Sequence, residues 1–404
     1  MEEWNQDRLI DILETLIDYR GKTPRKISFG IPLITAKIVK NGRIETPSEF
    51  LPIEDYESWM VRGFPKIGDV LLTTEAPLGE VAQVNDEKIA LAQRIVCLRG
   101  KKDILDNTFL KYYFLSPKGK AKLKARETGT TVTGIKQSEL KEMLIDYPSY
   151  NVQKQITSIL SSLDEKIELN RRINENLEQQ AQALFKSWFV DFEPFKDGKF
   201  VDSELGMIPE GWKVVETNKI MKISKESINP TKNPNRFYAH YSIPAFDEIG
   251  LPIFQYGNEI KSNKQKVLDN MTLVSKLNPR IKRVWFIDKA CENAICSTEF
   301  IPYLSLNNRP YFLFCYLNSN IFYDSIMSFV NGATGSHQRF QANDTLKFLF
   351  PYNEEVICKF NSIVSGVLIH KSRLIDENMK LSQLRDTLLP KLMSGELKIN
   401  DFND

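Results

Sequence analysis

The chain has 404 residues, of which 42% are hydrophobic and 26% are charged, and its formal net charge is +2. A length of this order favours about two domains, and the composition is that of a globular protein rather than a disordered or polybasic one. No apolar run approaches the ~18 residues that a membrane helix needs, and the first residues lack signal-peptide character, so we expect a cytoplasmic protein without membrane contact.

The first part of the chain has the pattern of a mixed domain. Short apolar or β-branched runs predict strands at residues 70–73, 80–84 and 94–98, and Asn41-Gly42 predicts a turn. Aromatic residues at helical spacing predict a helix at residues 108–115. We therefore expect residues 1–150 to form an α/β or α+β domain.

A long helix is predicted to follow this domain. Residues 149–193 contain neither Gly nor Pro. Within them an alternating 4-3 spacing, typical of a coiled-coil seam, links Ile156, Leu160, Leu163, Ile167, Asn170, Asn174, Leu177, Ala181, Leu184 and Trp188. The helix should start near Asn151 and end near Phe189, which gives ~40 residues or roughly 60 Å. We assign residues 151–192 to it.

The remaining half repeats this plan. Strands are predicted at residues 273–275 and 283–287, a turn at 248–250 and a helix at 310–317, so residues 193–352 should form a second domain. Residues 353–404 should contain a second long helix, closed by Pro390, which cannot continue a helix. Its seam, interrupted by Glu377, consists of Val356, Phe360, Ile363, Val367, His370, Leu374, Leu381, Leu384 and Leu388.

Each seam needs a partner, and the obvious partner is the other long helix. If the two helices are antiparallel, their midpoints bring Asn170 and Asn174 near His370, and a polar layer there would fix the register of an otherwise apolar seam. The alternative is that His370 is an ordinary core or snorkelling histidine.

The two halves match each other at a shift of 202 to 204 residues. Residues 69–73 fall on 271–275 and residues 109–115 on 311–317, both at a shift of 202. Gly129 falls on Gly332 and Pro148 on Pro351, both at 203, and residues 173–176 match 375–378. Landmarks in one order at nearly one shift indicate an internal duplication.

Residues with catalytic or metal-binding chemistry are sparse. The sequence lacks a phosphate-binding Gly-x-x-x-x-Gly-Lys-Ser/Thr loop and the Asn-Pro-Pro-aromatic segment of a DNA methyltransferase. The three histidines lie far apart, and the five cysteines contain no repeated Cys-x-x-Cys, so we expect reduced thiols and no metal site. Glu75, Glu80 and Lys88 loosely suggest a nuclease cluster, but the usual accompanying pairs are missing. We expect a non-catalytic chain without a cofactor.

Several segments resemble one protein family. The central region contains LFKSWFVDFEPF at residues 184–195 and SELGMIPEGW at 203–212. Further landmarks are GDVLLT at 68–73, VSKLNP at 274–279 and the ending LLPKLMSG at 388–395. Together these segments resemble the specificity subunits of type I restriction-modification systems over essentially the whole chain.

The resemblance implies an α+β protein with two α/β target-recognition domains of duplicated origin, separated by two long antiparallel coiled-coil-like helices. Each domain would read one half of a bipartite sequence in double-stranded DNA, and the helices would fix the gap between the halves. The implied partners are two methyltransferase subunits and, in the full complex, motor-nuclease subunits. Those subunits would supply the S-adenosylmethionine-, ATP- and magnesium-dependent chemistry.

Residues for contacting DNA can be selected by chemistry. Arg or Lys reads guanine, Asn or Gln reads adenine, and further cations bind phosphate. Basic residues outnumber acidic ones by six to one in residues 118–136 and by eight to two in 261–289, although a solvated face would explain either run. The first-domain candidates, which include the loop after Gly129, are Lys22, Arg25, Lys37, Arg43, Arg126, Thr130 and Lys136. The second-domain candidates are Lys264, Lys276, Arg280, Arg283, His337, Gln338 and Arg339.

Two other functions remain open from the sequence. A duplicated adapter could bind proteins through both domains, and salt-dependent binding to duplex DNA would separate a DNA reader from it. A self-sufficient DNA enzyme is the other alternative, and methylation or cleavage by the purified chain alone would indicate it.

Overall fold

The computed structural model of the chain describes residues 4–19, 21, 23–129, 133–329 and 338–398. It divides into two compact units. Unit 1 comprises Met1–Ile167 and Lys380–Asp404, and unit 2 comprises Glu168–Met379. The candidate residues Lys22, Thr130 and His337 lie outside the described residues.

Unit 1 combines short strands with a few helices before the first long helix. Its strands are β1 (Asn5–Arg8), β2 (Leu13–Asp18), β3 (Ile31–Ile34), β4 (Val39–Lys40), β5 (Arg43–Ile44), β6 (Phe50–Leu51), β7 (Val70–Thr74), β8 (Leu78–Gln83), β9 (Ala90–Leu91), β10 (Ile95–Gly100) and β11 (Leu144–Tyr147). Its helices are α1 (Leu9–Ile12), α2 (Tyr56–Trp59), α3 (Asn107–Leu115), α4 (Pro117–Ala125), α5 (Gln137–Lys141) and the first part of α6 (Tyr150–Phe189).

The centre of unit 1 is an antiparallel sheet in the order β2-β10-β7-β8. Successive side chains of a strand point to opposite faces. Val70 and Leu72 accordingly pack with the aromatic residues of α3, whereas Leu71 packs with the residues of β3 and β9. The sheet therefore has a buried layer on each face.

Unit 2 contains the second set of elements. Its strands are β12 (Phe200–Val201), β13 (Ile208–Pro209), β14 (Lys213–Glu216), β15 (Met221–Ile223), β16 (Ser227–Ile228), β17 (Phe237–Tyr241), β18 (Ile253–Tyr256), β19 (Lys264–Lys266), β20 (Met271–Ser275), β21 (Val284–Ile287), β22 (Ala294–Cys296), β23 (Phe300–Ser305) and β24 (Leu349–Tyr352). Its helices are α7 (Ile243–Glu248), α8 (Pro310–Leu317), α9 (Asn320–Met327) and most of α10 (Glu354–Ser394).

The internal duplication predicted from the sequence is confirmed by the topology. Unit 2 has an antiparallel sheet in the order β15-β23-β20-β21, which corresponds strand by strand to β2-β10-β7-β8. The antiparallel pair β14–β24 corresponds to β1–β11, and the parallel pair β17–β22 corresponds to β3–β9. Unit 2 differs by an enlarged outer sheet of five strands, in the order β16-β19-β22-β17-β18.

Most predicted elements are present with small shifts at their ends. The predicted helix at 108–115 is α3, that at 310–317 is α8, and the first long helix runs from Tyr150 to Phe189. The turn at Asn41-Gly42 joins β4 to β5, and both residues have positive φ.

The predicted end of the second long helix at Pro390 is wrong, because α10 continues to Ser394. Leu389, Leu392 and Met393 are buried in the core of unit 1, and this burial holds the last turn together although proline removes one backbone hydrogen bond. Gly395, with φ of 74°, ends the helix instead.

Within unit 2 the two long helices are antiparallel, because Asn170 meets Glu377 whereas the later Glu178 meets the earlier Lys371. In unit 1 the Arg385 guanidinium donates to Asp164 at 3.0 Å. In unit 2 the Asn170 amide donates to the Glu377 carboxylate at 2.7 Å and to the Asn378 amide oxygen at 2.9 Å. A residue further along one helix thus meets a residue further back along the other. The groups that meet at this contact are polar, as expected for a layer that fixes the register of the two helices.

The predicted partner in this polar layer is wrong. Asn170 and Asn174 are buried, but Asn170 meets Glu377 and Asn378, whereas His370 is exposed two helical turns away. Glu377, expected to interrupt the seam, is part of it. Its carboxylate is in fact the acceptor that satisfies the buried Asn170 amide group.

The seam of the first helix follows the predicted positions, with Leu163, Ile167 and Leu177 half-buried. In the second helix Val367 and Leu381 are half-buried and Leu374 is buried, but Ile363 and Leu384 are both 47% exposed. Phe360, a predicted seam position, is buried, and so are Ile357, Val364 and Leu368, which lie outside the predicted seam. This stripe is broader than a strict heptad seam because α10 packs on the core of unit 2 as well as on α6.

Candidate nucleic-acid interface

The β7–β8 and β20–β21 connections occupy equivalent places in the sheets of the two units. We call them the hairpin loops: residues 75–77 in unit 1 and residues 276–283 in unit 2. Ala76 and Asn278 both have φ of 49°, and each is followed by a proline, Pro77 or Pro279. Non-glycine residues rarely adopt this left-handed conformation, so the two loops share one uncommon backbone feature, although the Ala76–Pro77 peptide is cis and the loops differ in length.

A second segment lies against each hairpin loop. In unit 1 Glu75 forms an isolated bridge with Gly134, and the Ile135 amide donates to the Thr74 carbonyl at 2.9 Å. A side chain at Gly134 would come within 2.8 Å of that carbonyl, so glycine permits the approach. In unit 2 Leu277 bridges Arg339 in the same way. We call residues 133–136 and 338–339 the facing segments. They lead out of the two predicted glycine loops, of which residues 130–132 and 330–337 lie outside the described residues.

Some first-domain candidates lie beside the hairpin loop of unit 1. Lys136 is exposed and belongs to the facing segment. Arg43 is exposed and follows Gly42, whose amide donates to the Val81 carbonyl of β8 at 2.9 Å. Lys37 is also exposed, but no contact connects it to the loop.

Two other first-domain candidates are engaged elsewhere. Arg25 pairs with Glu54 at 2.6 Å and with Asp55 at 3.0 Å. Arg126 pairs with Glu139 at 2.9 Å. Because these guanidinium groups already have carboxylate partners, they fit the proposed contact role less well than Arg43 and Lys136.

Most second-domain candidates converge on the hairpin loop of unit 2. Lys276 and Arg280 belong to the loop itself, and Arg280 is exposed. Gln338 and Arg339 form the facing segment, where the Arg339 guanidinium pairs with Glu299 at 3.1 Å. These four residues therefore share one surface of unit 2.

Lys264 and Arg283 are buried rather than presented to solvent. Burial lowers the pKa of Lys264, whose ammonium donates to Ser262 Oγ at 2.5 Å. Arg283 forms two hydrogen bonds with Asp247 of α7, at 2.7 and 2.8 Å. The Arg283 pair fastens the end of the hairpin loop to α7, which is a positioning role rather than a contact role.

Two basic residues of α4, Lys120 and Lys124, are exposed but are not among the candidates selected from the sequence. Lys118 and Lys122 both pair with Asp146. Burial alone would raise the pKa of Asp146, but hydrogen bonds from Lys122, Gln6 and Lys118 outweigh it and hold that pKa at about 2. The other pair, Lys120 and Lys124, is exposed and lines a cleft of about 630 Å³ beside Pro77 and Gly79.

The lysine spacing contained the information needed to find this pair. Residues four apart share one face of a helix. Lys118 and Lys122 therefore form one face of α4, whereas Lys120 and Lys124 form another, and neither of the latter makes an ion pair with a described residue. The sequence could not show which of these two lysine faces would be neutralised by Asp146.

The central motif that carries the family resemblance has a structural role. Phe192 has φ of 51°, and its ring lies 5.3 Å from Trp212 in an edge-on arrangement. Phe195 lies 5.3 Å and Phe189 5.8 Å from the same indole. The motif thus turns the chain sharply at the end of α6 and encloses Trp212 in aromatic rings, whose packing offsets the backbone strain.

The described residues contain no group of three or more His, Cys, Asp or Glu side chains placed to hold a metal ion. The cysteines are unpaired, and burial raises the pKa of Cys296 to about 12. Among the described helices, none combines the length and apolar character needed to cross a membrane.

Comparisons with known proteins agree with this architecture. Residues 1–179 match the family model of the type I restriction modification DNA specificity domain. The type I restriction enzyme MjaIX specificity subunit of Methanocaldococcus jannaschii is 29% identical over 99% of this chain and 95% of its own length. The HindI specificity subunit of Haemophilus influenzae is 44% identical over 75 residues, which cover 19% of this chain and 16% of that protein.

A crystal structure of a type I restriction-modification S subunit from M. genitalium has the same fold. It aligns with a TM-score of 0.56 and 17% identity over 97% of this chain and 96% of that one. The duplicated topology, the paired long helices and these matches agree: residues 1–179 match the type I restriction modification DNA specificity domain, and the chain over nearly its whole length is similar to specificity subunits of type I restriction enzymes.

Proposed function

We propose that the chain reads a two-part sequence in double-stranded DNA, with one half read by each target-recognition domain. In this proposal the domains are residues 1–150 and 193–352, and the hairpin loops with their facing segments provide the base contacts. Two methyltransferase subunits and, in a full complex, motor-nuclease subunits carry out the chemistry. The chain itself contributes recognition and assembly.

The observation that carries this proposal is a pair of backbone features shared by two loops whose side chains differ. Each hairpin loop has a left-handed residue before a proline and a bridge to a facing segment. The unit 1 loop is Glu75-Ala76-Pro77, whereas the unit 2 loop begins Lys276-Leu277-Asn278-Pro279. Modules that share a scaffold but read different bases should differ at just such positions, because base edges are distinguished by side-chain donors and acceptors.

Charge is distributed differently around the two loops. Between residues 276 and 283 the unit 2 loop contains no acid and three cations besides Arg283, whose charge Asp247 neutralises. The unit 1 loop contains Glu75, which pairs with Arg94 at 2.7 Å. Unit 1 needs another source of phosphate contacts, and Lys120 and Lys124 of the adjacent cleft supply it in this proposal.

The long helices fit a spacing and docking role. α6 has 40 residues and α10 has 41, and both have residues in each unit. Their shared polar contacts, Asn170 with Glu377 and Asn378, define one register. A fixed register would keep the unread gap between the half-sites constant, and the outer faces of the helices offer a docking surface for methyltransferase subunits.

The phosphate role of α4 can be tested through the salt dependence of DNA binding. The logarithm of affinity falls with the logarithm of salt concentration, with a slope of about 0.9 per neutralised phosphate. We expect the double variant Lys120→Gln/Lys124→Gln to lower this slope by roughly 2 while sequence preference is unchanged. Affinity should be measured from about 50 to 200 mM salt, with the chain in complex with its methyltransferase subunits.

Lys122→Gln is the matched control, because it removes one charge from the same helix. The Lys122 ammonium already pairs with Asp146, and Lys118 continues to neutralise that carboxylate in the variant. The slope should therefore stay at the wild-type value. An equal loss of slope in the control and the double variant would reject a specific role for Lys120 and Lys124, and absence of salt-dependent binding by the wild-type complex would reject DNA reading itself.

A further inference from the structure

Two amide side chains stand side by side at the hairpin loop of unit 2. Asn278 is the left-handed residue of the loop, and Gln338 begins the facing segment. Their backbones are joined directly, because the Asn278 amide N–H donates to the Gln338 carbonyl at 2.9 Å. The adjacent bridge between Leu277 and Arg339 fixes the same two segments. The positions of both amides are therefore set by the backbone.

Neither side chain is used in holding this structure together. The Asn278 Oδ1 and Gln338 Oε1 atoms are buried and have no hydrogen-bond partner among the described residues. Neighbouring polar groups do have partners: Ser275 Oγ donates to the Leu277 carbonyl at 3.1 Å, and Arg339 pairs with Glu299. Leaving a buried acceptor unpaired costs free energy, so two such acceptors at one point need an explanation.

The sister loop shows that the scaffold does not require these amides. Ala76 occupies the position of Asn278 with the same φ of 49°, and Thr133 precedes Gly134 as Gln338 precedes Arg339. Unit 1 therefore builds the same bridge without an amide on either side. The amide pair is a particular property of unit 2, located where the two modules have diverged.

We propose that Asn278 and Gln338 each read an adenine in the half-site bound by unit 2. An Asn or Gln amide can accept from adenine N6 through its oxygen and donate to N7 through its nitrogen, which is the bidentate pairing that distinguishes adenine in the major groove. Turning either amide toward a base breaks no intramolecular hydrogen bond, because its oxygen has none to lose. This inference rests on the proposed function.

The test is a selection of bound duplexes from a random library by the full complex, followed by affinity measurements on single-base variants of the selected sequence. The Asn278→Ala variant is chosen because alanine adopts the same φ of 49° at Ala76, and Gln338→Met keeps the side-chain length without the amide. Each variant should lose roughly 10- to 100-fold of discrimination at one A·T pair. The other half-site and the salt dependence should be unchanged.

Gln341→Ala is the control, because Gln341 is an exposed amide three residues from Gln338 and its side chain caps no helix. It should select the wild-type sequence. If both loop variants keep full preference at every position, or lose affinity equally for all sequences, the adenine-reading role is wrong. If the wild-type complex selects no sequence at all, the failure belongs to the proposed function and this inference fails with it.

Discussion

Replacing Phe189 by alanine should lower the free energy of unfolding by about 3–5 kcal/mol, the usual cost of truncating a buried aromatic side chain. Phe189 is 1% exposed and is the last residue of α6. Its ring centroid lies 5.2 Å from those of Phe185, Phe312 and Phe360, and within 6 Å of Trp212 and Phe350. Truncation removes dispersion contacts on several sides and leaves a cavity among side chains that are themselves held by other packing. Chemical denaturation of the full chain measures the effect.

Val190→Ala is the control for this change, because Val190 is the next residue along the chain and is 37% exposed. The free energy of unfolding of Val190→Ala should differ from the wild-type value by at most about 0.5 kcal/mol, as is usual for a surface substitution. Similar losses for the two variants would show that the aromatic cluster is not the centre of stability of unit 2.

Replacing Asp69 by alanine should cost about 3–5 kcal/mol, because it leaves a largely buried guanidinium without its carboxylate. Asp69 is 1% exposed, and Arg99 donates to it twice, at 2.8 and 2.6 Å. The Lys66 amide also donates to Asp69, at 2.8 Å. The Glu14 carboxylate lies 3.7 Å from the Arg99 guanidinium. It would compensate the Arg99 charge only in part in the variant, because the Glu14 side chain is half exposed. The measurement is again chemical denaturation.

A double variant separates the buried charge from simple loss of packing. In Asp69→Ala/Arg99→Leu no uncompensated charge remains, so more than half of the lost stability should return. Glu54→Gln, which removes one carboxylate of an exposed pair with Arg25, should change stability by about 0–1 kcal/mol. If the stability losses of the two single changes simply add in the double variant, Asp69 does not act by neutralising Arg99.

Local patterns were sufficient to predict much of the fold. Aromatic spacing located α3 and α8, and the 4-3 pattern located α6 from Tyr150 to Phe189. These features depend on side chains within a few residues of each other, so they can be predicted from the sequence. The duplication could be predicted for a different reason. The fold restricts which turn and buried residues each copy can have, while surface residues change freely.

What could not be predicted depends on contacts between distant residues. Glu377 appeared to interrupt a seam, but it is the partner of Asn170 across the helix pair. Arg283 appeared to be a free cation, but its buried guanidinium is ion-paired with Asp247, 36 residues away. Lys120 and Lys124 could not be distinguished from Lys118 and Lys122 until Asp146 was placed beside one pair. Charge and residue type are local, whereas the availability of a charge for binding is set by its neighbours in space.

The most direct test of the central claim is to sequence the duplexes that the full complex selects from a random library. Reading by two duplicated modules predicts two short specified blocks separated by a gap of constant length and unspecified sequence, with changes at Asn278 and Gln338 altering one block only. A single continuous block, or a bound pool with no sequence preference, would contradict it.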